Sequence, residues 1–79
     1  MRPSRENVFA VLARLEQSGS MPDDGPTSVF VTEHIGGTRT HATQIAVKVS
    51  GDNVYARINR LPFVRPMVFS RQALRAADV

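Results

Sequence analysis

The stretch "QIAVKVSGDNVYARIN", residues 44–59, constrains this chain more than any other. Ile45, Val47 and Val49 alternate with Gln44, Ala46 and Lys48. After a Ser-Gly-Asp-Asn break, Val54, Ala56 and Ile58 alternate with Tyr55, Arg57 and Asn59. Two runs of period two around a glycine-containing break predict a β-hairpin. Its register follows if Val49 faces Val54: Val47 then faces Ala56 and Ile45 faces Ile58. Successive side chains of a strand point to opposite sides, so these six lie on one face. On the other face Lys48 stands across from Tyr55, Ala46 from Arg57 and Gln44 from Asn59. One side of the hairpin is wholly apolar and the other is nearly all polar. The apolar side needs a cover.

A helix is available to supply it. Ser4 is a suitable N-cap, Glu6 in the first turn complements the helix dipole, and Gly19 suits the C-terminal stop. Val8, Val11, Leu12 and Leu15 follow the i, i+3, i+4, i+7 spacing of an apolar stripe, with Phe9 and Ala13 at its margin. A helix is expected over residues 4–17. "SGSMPDDGP", 18–26, is a loop. "TSVFVTEHI", 27–35, is rich in β-branched residues and reads as a strand, and Gly36-Gly37 permits a tight turn after it. With that turn, Thr32 faces His41 and His34 faces Arg39.

"LPFVRPMVF", 61–69, holds two prolines, which restricts it to an edge strand or an extended segment. Ser70 then caps a short last helix with Leu74 facing inward. The expected architecture is α+β: an N-terminal helix packed on a three- to four-stranded antiparallel sheet, with a short C-terminal helix, in a single domain over residues 1–79.

A second reading competes for part of the chain. In "VTEHIGGTRTHATQIAVKV", 31–49, Val31, Ile35, Gly36, Ala42 and Ile45 fall at spacings that resemble a helix-turn-helix. The resemblance covers under a third of the chain, and Thr32 stands where that motif places a small residue. It implies a helix-turn-helix or winged-helix fold in which Thr38, Arg39, Thr40, His41, Thr43 and Gln44 face the major groove of DNA. It also requires "TSVFVT" to be helical, although Ser, Val and Thr are poor helix formers.

Several chemistries find no support in the sequence. With no cysteine there is no disulfide framework, thiolate metal site or cysteine nucleophile, and a reducing, cytoplasmic setting is expected. No apolar run approaches the roughly 20 residues that span a bilayer. Arg14 and Glu16 follow the short apolar stretch near the N-terminus, so a signal peptide is not expected. Two histidines with Arg39 between them are not a cation site. His41 has Thr40 and Thr43 nearby, but no carboxylate is placed to orient it as a base. Asp23 and Asp24 read as a solvated turn. Neither enzymatic activity nor a cofactor is expected.

Charge is the remaining signal. Residues 1–38 carry three basic and five acidic side chains. Residues 39–77 carry Arg39, Lys48, Arg57, Arg60, Arg65, Arg71 and Arg75 against Asp52 alone. Such asymmetry predicts an acidic partner. The polar hairpin face supplies Lys48, Tyr55, Arg57, Gln44 and Asn59. Arg60, Arg65, Arg71 and Arg75 are expected to extend its rim. Cations that track phosphates and a ring that stacks on bases are the ingredients of a single-strand nucleic-acid platform. The expected site is therefore Lys48, Tyr55, Arg57, Asn59, Arg60 and Arg65.

The alternative partner is a protein that is acidic or itself binds nucleic acid. A small, apparently complete module with no catalytic site is similar in size and plainness to phage anti-defence proteins such as anti-CRISPRs. No motif carries that likeness. An exposed edge strand also offers pairing to a second copy, as a homodimer.

Overall fold

The hairpin is present, and its register is the expected one. In the computed structural model, which describes residues 4–32, 43–58 and 65–79, strand β2 (Thr43–Ser50) pairs antiparallel with β3 (Asn53–Ile58). Val49 faces Val54, Val47 faces Ala56 and Ile45 faces Ile58. All six are buried. Gly51 begins the two-residue turn at φ 58°, a left-handed conformation that costs glycine little. Two outer strands complete an antiparallel sheet of order β1-β2-β3-β4, with β1 at Thr27–Thr32 and β4 at Met67–Ser70. Pro66 stands just ahead of β4, at an edge where no ladder bond is lost.

Helix α1 (Arg5–Gln17) and the short α2 (Arg71–Ala76) contribute Val8, Leu12, Ala13 and Leu74 to the same buried cluster as the inner face of the sheet. The arrangement is the expected α+β fold. The helix-turn-helix placement is overturned, because β1, which it needs as helix, is strand, and so are Thr43 and Gln44 of its supposed recognition segment; Thr38, Arg39, Thr40 and His41 lie outside the described residues. β-branched side chains lose rotamer freedom in a helix and pack well on a pleated surface. The Gly36-Gly37 turn and both histidines lie outside the described residues.

Three features differ from the expectation. Thr32 faces Thr43 and not His41, a slip of two residues. A two-residue slip keeps every side chain on its face, so alternation alone does not choose between these registers.

The second difference is the roll of α1. Val8, Leu12 and Ala13 are fully buried, whereas Val11 and Leu15 are only partly covered. The helix is turned toward its Phe9–Ala13 side, and Glu16 comes inward with it. The Glu16 side chain is only 7% exposed and receives Arg71 Nε at 2.6 Å, with Arg75 Nη2 at 3.5 Å. A carboxylate can sit at a layer interface when cations from the facing element neutralise it.

The third is the role of the loop aspartates. Asp24 Oδ1 accepts from the Gly51 amide at 2.7 Å, which ties the 18–26 loop to the hairpin turn. Asp52, within that turn, accepts the Arg71 and Gln72 amides at 2.7 and 3.0 Å and the Ser70 hydroxyl at 2.9 Å. Ser70 Oγ in turn accepts from the Ala73 amide. The start of α2 is thus capped by both the hairpin turn and its own N-cap serine. Its far end is held by Gln17, whose Nε2 donates to the Leu74 and Ala77 carbonyls at 3.1 and 2.7 Å.

Candidate functional site

The sheet has one covered face and one open face, and the candidate residues stand on the open one. Residues directly opposite in an antiparallel pair share a face, so the register lays this surface out in rows. Thr27, Lys48, Tyr55 and Val68 form one row across all four strands. Val29, Ala46 and Arg57 form the next, and Val31 and Gln44 begin a third. Lys48 and Arg57 are exposed and Tyr55 is half-buried.

Lys48 and Arg57 are diagonal neighbours on adjacent strands, an arrangement that puts Cα atoms about 7–8 Å apart. Among the described residues neither has an ion-pair partner, since both salt bridges there go to Glu16. Two like charges at that spacing repel weakly in water, and an anion placed between them relieves the repulsion. Beside them lies an open depression of about 460 Å³ lined by Thr27, Ala46, Lys48, Ser50, Tyr55, Arg57 and Pro66. Ala46 helps to make the dip: it is a small residue with Lys48 on one side and Gln44 on the other. The Tyr55 ring flanks the dip.

The described acidic side chains are kept away from this surface. Among the described residues, Glu6 and Glu16 are on α1, Asp23 and Asp24 in the loop after it, Asp52 in the hairpin turn and Asp78 beyond α2. None falls on the outward positions of the four strands.

Of the expected site, Lys48, Tyr55 and Arg57 come together around the depression. Arg65 is exposed next to Pro66, which lines it. Asn59 and Arg60 lie outside the described residues. Arg71 and Arg75, expected at the rim, belong to the helix layer, where they pair with Glu16. Glu16 draws them to that side, and α2 carries them there.

The sequence reading missed the outer strands' contribution. Val29, Val31 and Val68 stand 55%, 64% and 43% exposed on the same face as the cations. The open face is therefore mixed: two cations and a tyrosine set among valines. In "TSVFVT" both alternating sets contain apolar residues, so composition does not say which set turns outward. Only the pairing with Ile45 and Val47 does.

Among the described residues no group of three or more His, Asp or Glu side chains is gathered as a metal site would require, and no helix is long and apolar enough to cross a membrane. Comparison with family models, with curated proteins and with solved structures gives no match to this chain.

Proposed function

We propose that this protein is a non-enzymatic binding module whose open sheet face holds single-stranded nucleic acid. Phosphates sit at Lys48 and Arg57, and a base enters the depression against Tyr55. The observation that supports this most is the meeting, at one concavity, of a ring with two cations that have no acidic partner among the described residues. Charge tracking the backbone and an aromatic face under a base form the usual division of labour in such platforms. Arg57 adds a planar cation that can itself stack or grip a phosphate through two N–H groups.

Fluorescence anisotropy with labelled single-stranded DNA and RNA at low salt tests the reading. Binding should weaken as salt rises, with a logarithmic slope of about −0.7 for each phosphate neutralised. Absence of binding at low salt would sink it, and so would an affinity indifferent to salt.

A second reading draws on Val29, Val31 and Val68. Exposed valines beside cations also suit a protein partner with an apolar centre and an acidic rim. The module would then be a stoichiometric inhibitor or adaptor, in the manner of phage anti-defence proteins. A one-to-one protein complex that survives nuclease treatment and is lost in Val68→Lys would favour this reading over the first.

A further inference from the structure

The two edges of the sheet are treated differently. At β4 the Val68 carbonyl is turned away from β3 and accepts from Arg5 Nη2 at 2.8 Å, while the same guanidinium lies 4.3 Å above the Phe69 ring. That edge is closed by a charged side chain, with Pro66 just ahead of it and α2 directly behind. Charge and proline are standard means of blunting an edge strand.

β1 has neither. Its six residues, "TSVFVT", include no charge and no proline. Their outward backbone groups can be identified. The Val49 carbonyl is turned toward the β1 side, where the Gly25 amide donates to it. Backbone direction alternates along an antiparallel ladder, so Val47 and Ile45 also turn toward β1 and bond their partners Ser28 and Phe30. The N–H and C=O groups of Val29 and Val31 are left facing outward. Their side chains are more than half exposed, and Phe30, on the core side of the strand, is only partly covered.

We infer that β1 is an interface strand and that its partner is β1 of a second copy, paired antiparallel about a two-fold axis perpendicular to the sheet. Charge selects this occupant. Stacking two copies through their open faces would oppose Lys48 and Arg57 with the same cations. Pairing edge to edge brings together two uncharged strands and leaves the cations set back. Lys48 and its counterpart are then three strand spacings apart, about 14 Å, which exceeds the screening length of about 8 Å at physiological ionic strength. Valine meets valine on the open side, and Phe30 gains cover from the second copy on the other. The product is a continuous sheet with both depressions on one side. This inference does not depend on the nucleic-acid reading.

Sedimentation equilibrium of the whole chain, with and without changes in β1, provides the test. Wild type should sediment as a dimer that dissociates on dilution. Val29→Pro deletes an N–H that β2 does not use, and Val31→Lys adds an edge charge. Both should sediment as folded monomers with unchanged circular dichroism. Hydrogen exchange on the unmodified chain gives a reading that needs no variant: the Val29 and Val31 amides should be protected in the dimer and exchange freely once diluted. A wild-type monomer at every concentration would overturn the inference. So would a dimer that persists in folded Val29→Pro and Val31→Lys, or Val29 and Val31 amides that exchange freely in the dimer.

Discussion

The two faces of the β2–β3 hairpin are made by alternate residues of the same strands, yet they answer to different constraints. The inner set, with Ile45, Val47 and Val49 against Val54, Ala56 and Ile58, is buried beneath α1. Burial requires that set to be apolar, so its composition carries no information about partners. The outer set meets no such demand. There the ordinary expectation is a scatter of polar side chains of both signs. What stands there instead is Lys48, Tyr55 and Arg57 among exposed valines, with every described carboxylate elsewhere. A departure on the unconstrained side is the more informative one.

Substitutions separate the faces by what they disturb. Ile45→Ala removes fully buried apolar volume and should cost about 3 kcal/mol in urea unfolding. On the open face, Arg57→Ala should change stability by no more than about 0.5 kcal/mol in the same assay. Equal losses from the two would break the comparison. The helix layer has its own test in Arg71→Ala. It strips the nearer partner from a carboxylate that is 7% exposed, while the 3.5 Å contact to Arg75 remains, so a loss of about 2 kcal/mol is expected. Little change on removing Arg71 would return that residue to the pool of cations available for binding. Asp52→Ala should cost about 1 kcal/mol by uncapping α2, also read from urea unfolding, with the hairpin retained by circular dichroism.

How much of this was legible in the sequence depended on whether the deciding contact was local. The hairpin was, because period two and a glycine turn fix both its faces and its register. The two helix caps at Ser4 and Ser70 were also local signals, and both serines accept from an amide three residues on. The roll of α1 was not. Glu16 looks like a solvent-facing residue until Arg71 and Arg75, more than fifty positions later, are brought over it. The same hidden pairing made the basic second half of the chain look more available than it is. The facing of β1 was also illegible, since its two alternating sets are similarly apolar. Its register differed by a step that leaves every face unchanged. Of the candidate site, the hairpin's share was readable and the valines from the outer strands were not.

The central claim is that the open face, and not net positive charge as such, holds the anionic partner. Charge reversal at matched positions tests it most directly. Arg57 lines the depression, whereas Arg14 is exposed on α1, in the helix layer on the other side of the sheet. Arg57→Glu and Arg14→Glu change the net charge equally. Anisotropy titrations of single-stranded nucleic acid at one low salt concentration should show affinity falling roughly tenfold or more for Arg57→Glu and staying near wild type for Arg14→Glu. Equal losses in the two variants, or wild-type affinity in Arg57→Glu, would contradict the account.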